Sequence, residues 1–364
     1  MSTAHFFSQN YAEARAKFLA ACEEQGLYVH SHVHPLRGRD GEQLAMDVAL
    51  LGAERAARLL VISSGCHGVE GFCGSGVQNA LLADAGFKTA AARAGVAVLF
   101  IHALNPYGFS WWRRATHENV DLNRNFHDFH AGAAALPANP AYADLAHLVV
   151  PAQWPPGADT EAAIIAYVAT HGAKAWQQAL TAGQYSHPEG IFFGGHTPTW
   201  SHQTLRHVLQ DHAVHCTRLG WIDLHTGLGP NGHGERIYAG PDDATAVARA
   251  RRWWGREVTS IYDGTSASAK LSGMMFFSVA WDCPQAEYTG MALEYGTVPL
   301  LEALHQLRAE QWLENHPEAP AEQAAAIKQN FRDAFYTDTP QWKQQTVDQA
   351  VQASHQALVG LTLP

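Results

Sequence analysis

Short apolar runs rich in β-branched residues, each ending in a glycine or turn sequence, constrain the fold of this chain more than any other feature. Two of them, Leu59–Ser63 and Val96–Ala103, flank a predicted helix at Gly76–Asp84. A strand, a helix and a strand in close succession are typical of a βαβ unit. Further runs occur at Arg218–His225 and Met291–Glu294. The sequence therefore predicts an α/β fold: a mixed, mostly parallel twisted sheet with helices on both faces.

Two more elements are predicted outside this pattern. Ser8 is a typical helix N-cap residue, and it precedes an amphipathic run, Gln9–Gln25, that ends at Gly26. We therefore expect the first helix there. The apolar run Met274–Val279 has the length of a strand, and we predict a strand at that position.

The chain is predicted to form a single domain of residues 1–364. A segment rich in alanine and proline at about 131–200 differs in texture from its surroundings, which indicates an insertion or a lid. Within it we expect one long helix, Thr160–Ala182. From about residue 299 the chain is predicted to form a helical C-terminal tail.

Composition excludes several classes of protein. The net charge of −10, without a block rich in lysine and arginine, argues against nucleic-acid binding. No apolar run is long enough to predict a membrane span. The 5 cysteines are scattered, and the N-terminus does not have the pattern of a signal peptide. These features favour reduced thiols and a cytoplasmic location. The oligomeric state is not indicated by the sequence.

The most suggestive single motif is His67-x-x-Glu70, which follows the Leu59–Ser63 run and a glycine. An imidazole and a carboxylate at this spacing can provide two ligands to one zinc ion. With 22 histidines in 364 residues, however, roughly one such motif is expected by chance. Cys66 is adjacent, but a buried packing thiol is the more common role for such a residue.

Other polar groups strengthen the metal hypothesis because they too follow predicted strands. These groups are Asn123–Arg124, His225 and Glu294. The carboxyl ends of parallel strands meet at one edge of a sheet, where binding sites gather. We therefore expect these residues to lie close to His67 and Glu70.

Together these motifs resemble the zinc carboxypeptidase superfamily, which also contains deacylases of N-acyl amino acids. The matching blocks are His67-x-x-Glu70, Asn105-Pro-Tyr-Gly108, Val120-Asp-Leu-Asn-Arg-Asn-Phe126, Asp223-Leu-His225 and Leu293-Glu294-Tyr295. The sequence DLHTGLG at the His225 strand end is similar to the bacterial, DUF2817-type branch of that superfamily. The resemblance covers residues from about 60 to about 300 and implies a zinc-dependent hydrolase that cleaves an amide bond next to a free carboxylate.

The resemblance also implies a role for each matched residue. One zinc ion would be held by His67, Glu70 and His225, which leaves a fourth position for water. Glu294 would be the general base that takes a proton from that water. Asn123 and Arg124 would grip the carboxylate of the substrate, for which a guanidinium fork is well suited.

The superfamily further uses an arginine to stabilise the oxyanion. Arg113 and Arg114 are the two candidates; we favour Arg114 for this role, which leaves Arg113 as a candidate for substrate binding. Asp223 is a possible partner for His225, and Asp121 for Arg114 or a metal-binding histidine.

One departure from the superfamily keeps alternatives open. Carboxypeptidases of this type have a tyrosine about twenty residues before the general base, where this chain has Ser272–Gly273; Tyr262 and Tyr288 are the nearest tyrosines. The substrate is therefore predicted to be a small peptide or, alternatively, an N-acyl amino acid cleaved by a deacylase of the desuccinylase or aspartoacylase kind. A non-catalytic module that binds a metal or a peptide is a third hypothesis.

Overall fold

A seven-stranded sheet forms the centre of the protein, which we describe from a computed structural model covering residues 3–364. The strands are β1 (Val29–Arg37), β2 (Gln43–Leu51), β3 (Arg58–Ser64), β4 (Ala97–His102), β5 (Arg218–Asn231), β6 (Gly234–Tyr238) and β7 (Glu287–Gly296). Their order across the sheet is β1-β2-β4-β3-β5-β7-β6. The pairings between β4, β3, β5 and β7 are parallel, and the outer pairings are antiparallel. The predicted mixed α/β sheet is therefore confirmed.

Helices cover both faces of this sheet. They are α1 (Tyr11–Glu24), α2 (Gly71–Ala83), α3 (Ala85–Ala94), α4 (Pro106–Trp111), α5 (Pro140–Val149), α6 (Ala158–His171), α7 (Ala173–Thr181), α8 (Trp200–His212), α9 (Ala244–Trp254), α10 (Phe277–Asp282), α11 (Leu300–Asn315), α12 (Ala321–Phe335) and α13 (Pro340–Gly360). None of these described helices combines the length and the apolar character that a membrane span requires.

The alternation of side chains along β3 explains why both faces need helices. Leu60 and Ile62 pack into a core with residues of α1, α2 and α13. Leu59 and Val61, which point the other way, pack with residues of α8. A strand that is apolar on both faces needs helices on both sides of the sheet, as its continuous apolar run predicted.

The structure corrects three local predictions. The first helix is capped by Asn10, whose side chain accepts from Glu13 N, so Ser8 is not the cap. The single helix predicted at Thr160–Ala182 is two helices, α6 and α7, because the chain turns at Gly172 with a φ of 86°. The strand predicted at Met274–Val279 is wrong: residues 274–276 form a loop, and residues 277–279 begin α10. Short apolar runs do not distinguish a strand from a buried loop and helix by periodicity.

A close approach between two backbone segments places the loop after α4 against the His67-x-x-Glu70 turn. Gly68 N donates to Arg114 O at 3.2 Å, and Val69 N donates to Arg113 O at 2.9 Å. A Cβ atom at Gly68 would lie 2.0 Å from the backbone carbon of Gly108. Only glycine therefore fits at this position, because the neighbouring atom belongs to the backbone and not to a movable side chain.

We predict that Gly68→Ala destabilises the protein by about 1–3 kcal/mol, since the added methyl group must push two backbone segments apart. The free energy of unfolding would be measured by urea titration. Gly157→Ala is the control, because its Cβ would lie 3.5 Å from the nearest atom, in the side chain of Gln153. Equal stability of the two variants would contradict the close approach.

Candidate active site

Three parallel strands bring the predicted metal ligands and the predicted base to one edge of the sheet. His67 and Glu70 lie in the turn between β3 and α2, and His225 lies in β5. His225 is paired in register with Glu294 on β7, so their side chains point to the same face. The topology therefore explains how residues far apart in sequence converge.

The ligand atoms of His67, Glu70 and His225 have the spacing that one metal ion requires. The two Nδ1 atoms are 3.3 Å apart, and the Glu70 carboxylate lies 2.8 Å from Nδ1 of His67 and 3.1 Å from Nδ1 of His225. A tetrahedral zinc ion with bonds of about 2.0–2.1 Å holds its ligand atoms about 3.3 Å apart. All three residues are buried. The chemistry and the spacing of these donors therefore fit one zinc ion.

Electrostatics also favour a cation where these three groups meet. Burial alone would raise the pKa of Glu70, but His67 and His225 outweigh it and hold that pKa well below its ordinary value. Burial likewise acts to lower the pKa of His225, yet the carboxylates of Asp223 and Glu70 raise it well above the usual range. The cluster is thus arranged to stabilise positive charge.

A chain of hydrogen bonds behind His225 fixes the orientation of its ring. His225 Nε2 contacts the carboxylate of Asp223. Ser63 Oγ donates to that carboxylate at 2.5 Å and accepts from Trp221 Nε1 at 2.7 Å. A histidine whose outer nitrogen donates to a carboxylate presents the other nitrogen to a metal. Asp223 therefore has the partner role considered for it in the sequence.

His67 has a comparable partner. Its Nε2 lies 3.5 Å from Asp121 Oδ1 and 2.8 Å from Arg114 Nη2. Asp121 also accepts from Arg114 Nε at 2.9 Å. A single carboxylate thus orients both the histidine and the arginine, as the sequence suggested.

Cys66 belongs to a second, overlapping group of donor atoms with Asp223 and His225. Burial, reinforced by Asp223, raises the pKa of the Cys66 thiol well above its ordinary value and so disfavours the thiolate that would bind a metal. His225 Nε2 is already engaged by Asp223. The first group is therefore the better candidate.

Glu294 lies beside the candidate metal ligands with its carboxylate almost free of protein partners. Its Oε1 accepts from Leu228 N at 3.2 Å, and the residue is 8% exposed. Burial and the nearby charge of Glu70 raise the pKa of Glu294 to about 8. A cation held by Glu70 and the histidines would lower this pKa, which suits a group that exchanges protons near neutral pH.

The two candidate arginines lie in different places. Arg114 lines the cavity and donates to Glu70 Oε1 at 3.2 Å. Arg113 is turned away from the cavity and pairs with Glu310 at 2.9 Å and with Glu314 at 3.3 Å. The structure therefore brings Arg114 to the site and not Arg113.

Asn123 and Arg124 also line the cavity, although the prediction that they follow a strand is wrong. They belong to a short 3-10 turn, Leu122–Arg124, whose N-cap residue is Asp121. Polar residues in DLNRNF satisfy backbone groups of the turn, and this local bonding replaces strand pairing. Asp121 Oδ1, for example, accepts from Asn123 N at 3.0 Å.

The 131–200 segment contributes cavity residues that the sequence analysis did not identify. Gln177, Thr181 and Phe192 line the same cavity. The ring of Phe192 lies 4.9 Å from the Arg114 guanidinium and 5.6 Å from that of Arg124, in cation–π geometry. The local sequence around these residues does not indicate a site, because they reach the cavity only through the tertiary packing of the 131–200 segment.

The nearest tyrosines also differ in placement. Tyr288 lines the cavity, and Tyr262 does not. Ser272, which replaces the expected tyrosine, lies 3.3 Å from the hydroxyl of Tyr185, and that hydroxyl donates to Arg124 O at 2.8 Å. Tyr185 thus supports the turn that carries Arg124 from a different part of the chain.

Comparisons with known proteins identify the family. Residues 7–349 match the family described as "Protein of unknown function (DUF2817)". The chain belongs to the DUF2817 family. The match includes the first helix, the 131–200 segment and most of the tail, which lay outside the motifs recognised in the sequence. A comparison with curated proteins gives no match.

Several solved structures are similar in chain path at low identity. Carboxypeptidase A from Helicoverpa armigera is 12% identical with a TM-score of 0.43, covering 95% of this chain and 73% of that one. Bovine thrombin-activatable fibrinolysis inhibitor, solved with tick carboxypeptidase inhibitor, is 11% identical with a TM-score of 0.47, covering 98% of each chain. A Shewanella frigidimarina protein described as a succinylglutamate desuccinylase/aspartoacylase is 17% identical with a TM-score of 0.34, covering 79% and 71%.

We predict that Ser63→Ala weakens zinc binding by about 10- to 100-fold, because Asp223 loses the donor that holds it against His225. Zinc affinity would be measured by competition with a chromophoric chelator. Ser64→Ala is the matched control: Ser64 is equally buried, but its hydroxyl donates to Gln78 Oε1 at 2.9 Å, away from the ligands. The same loss of affinity in both variants would argue against the hydrogen-bond chain.

Proposed function

We propose that this protein is a zinc-dependent hydrolase that cleaves an amide bond next to a free carboxylate, in the manner of a carboxypeptidase. The observation that carries the proposal is one buried cluster in which His67, Glu70 and His225 have metal-ligand spacing and Glu294 has a raised pKa. A pure binding module needs no such carboxylate. Two nitrogen donors and one carboxylate also favour zinc over magnesium or calcium, which prefer oxygen ligands.

Glu294 is proposed to move the proton in this reaction. When bound, the zinc ion supplies an acidified water molecule and polarises the amide carbonyl. Glu294 accepts the proton of the attacking water and then donates it to the departing amine, as a group with a pKa near neutrality can. The hydrogen bond from Leu228 N fixes one oxygen of the carboxylate and leaves the other for the proton.

Arg114 is proposed to stabilise the oxyanion. In the arrangement described above, Arg114 Nη2 lies 2.8 Å from His67 Nε2. If His67 Nδ1 binds a metal, its Nε2 carries a proton and cannot accept a hydrogen bond. The Nε2–H group of His67 then donates to Asp121, and the Nη2 group of Arg114 becomes available to the substrate. Arg114 keeps its Nε bond to Asp121, so the guanidinium stays oriented.

Asn123 and Arg124 are proposed to bind the free carboxylate. The Arg124 guanidinium donates to Thr181 O through Nε at 3.0 Å and through Nη2 at 2.6 Å. These bonds fix the plane of the fork, and the remaining N–H groups can meet a carboxylate. Thr181 belongs to the 131–200 segment, which we propose acts as a lid over the site.

Two broader points complete the proposal. The substrate is a small peptide or an N-acyl amino acid, since both present an amide next to a carboxylate. The five cysteines are buried and unpaired, which supports a reducing compartment and hence the cytoplasm.

We predict that Glu294→Gln lowers kcat by about 10²–10⁴-fold while zinc content stays at the wild-type value, because the base is lost and the ligands are kept. Steady-state kinetics on a blocked dipeptide measures kcat, and mass spectrometry measures the zinc content. The control is Glu287→Gln, an exposed carboxylate on the same strand. Full activity in Glu294→Gln would refute the assignment of the base.

We further predict that Arg124→Lys lowers kcat/KM for a substrate with a free carboxylate by about 10- to 100-fold, because a charged two-point contact is lost. The C-terminal amide of the same substrate should be cleaved at a slow rate that the variant does not change. Arg113→Lys, outside the cavity, is the comparison. An equal effect on acid and amide substrates would mean that Arg124 supports the fold and does not bind the carboxylate.

A further inference from the structure

A second cavity lies between the 131–200 segment and the C-terminal helices, outside the candidate active site. Its volume is about 380 Å³, which is within the range of sites that bind small molecules. One face of α6, Trp176 of α7 and one face of α11 line it. The proposed reaction does not use this cavity, so its chemistry points to a separate ligand.

Helical spacing gives the cavity a charged end and a longer apolar part. Glu161 and Val168 on α6 both line it and are seven residues apart, as are Leu301 and Arg308 on α11. Residues seven apart lie on one face of a helix. Arg308 Nη1 and Glu161 Oε1 form an ion pair at 3.4 Å, so the charged groups of the two helices meet at one end. The apolar part extends from there over about 10 Å, the length of two helical turns.

The apolar part of the cavity is open to water. Ile165 is 67% exposed and Leu301 is 59% exposed, and both line the cavity. The structure describes α6 throughout, and none of its residues is buried, although its sequence ADTEAAIIAYVATH is largely apolar. Exposed apolar surface of this kind marks a binding site more often than a chance feature. A ligand with an apolar body would remove it from water.

At the charged end, the guanidinium of Arg308 is buried at 4% exposure with a distant carboxylate partner. Its Nε donates to Val149 O at 3.0 Å, and its Nη2 donates to Leu148 O at 2.9 Å. Its Nη1 has the long contact with Glu161, whose side chain is 44% exposed. Burial lowers the pKa of Arg308, and Glu161 offsets only part of this effect. Nη1 can therefore donate to a closer anionic group.

Arg113 shows how the protein neutralises another buried arginine. It pairs with Glu310 at 2.9 Å and with Glu314 at 3.3 Å, and these two carboxylates raise its pKa. Arg308 has one longer contact with a carboxylate that water also reaches. A buried charge without a close partner is costly. An anion that enters the second cavity would supply the charge that Arg308 lacks.

We propose that the second cavity binds a free monocarboxylate with an aliphatic chain. The carboxylate pairs with Arg308, and the chain lies between Ile165 and Leu301. Glu161 can turn outward into water, because its side chain is already partly exposed. This inference does not rest on the proposed function. Leu304 lines both cavities, so α11 forms part of the wall between this ligand and the active site.

The first test is calorimetric titration of the full-length protein with octanoate, octan-1-ol and octylamine. These compounds share one chain and differ in the charge of the head group. Octanoate should bind at least about 10-fold more tightly than either of the others, because a hydrogen bond to a charged partner is stronger than a neutral one. Equal affinities, or no binding of octanoate, would overturn the inference.

One exposed residue tests where the chain lies. Leu301→Glu places a carboxylate in the apolar part and should weaken octanoate binding by at least about 10-fold. Val359→Glu is the matched control, because Val359 is 61% exposed and belongs to α13, outside the cavity. Unchanged affinity in Leu301→Glu, or the same loss in both variants, would contradict the proposed position.

The competing carboxylate tests the role of Arg308 without removing it. Glu161→Gln should tighten octanoate binding by about 3- to 5-fold, because the partner that competes for Nη1 loses its charge. The affinity for octan-1-ol should stay the same. A weaker or unchanged affinity for octanoate would show that its carboxylate does not pair with Arg308.

Two other occupants are distinguished by the same variants. Octanoate binding that Arg124→Lys weakens and Leu301→Glu does not would place the ligand in the active-site cavity and overturn the inference. Sedimentation equilibrium should give the same oligomeric state for the wild-type protein and Leu301→Glu. Dissociation of an oligomer in Leu301→Glu would show that a second copy of the chain covers the cavity, which would also overturn it.

Discussion

The buried carboxylate of Glu70 is the interaction on which the rest of the site depends. At 1% exposure it would be costly to ionise without partners. It is surrounded instead by donors from three segments: His67 at 2.8 Å, Arg114 at 3.2 Å, and His225 and Thr226 N at 3.1 Å each. These bonds link the turn that carries His67, the loop that carries Arg114 and strand β5. A metal ion bound there would neutralise the negative charge of Glu70, which the surrounding hydrogen-bond donors already stabilise.

Much of this arrangement could be predicted from the sequence, because it depends on regular local patterns. The apolar runs of β3 and β5 define parallel strands, and the ends of parallel strands meet. This rule alone predicts that His67 and His225 converge, and the structure places their Nδ1 atoms 3.3 Å apart. Asp223 could be predicted as a partner of His225 by the same alternation of side chains, since two residues along a strand lie on one face.

Other parts could not be predicted, because they depend on contacts between distant segments. Arg113 and Arg114 are adjacent, and only tertiary packing decides that one pairs with Glu310 and the other lines the cavity. The segment Met274–Val279 has the composition of a strand, but it forms a loop and the start of α10. Phe192 reaches the site with a positive φ of 54° that no propensity would suggest.

The C-terminal helices determine when the cavity can form during synthesis of the chain. Arg113 is anchored by Glu310 of α11, which in turn accepts from Lys328 of α12 at 2.8 Å. The carbonyl of Phe335 accepts from Thr226 Oγ1 at 2.6 Å, beside the candidate ligand His225. The β-strands that lead to the candidate metal ligands leave the ribosome well before these helices do. The nascent chain therefore cannot assemble a finished cavity until these helices have emerged and docked.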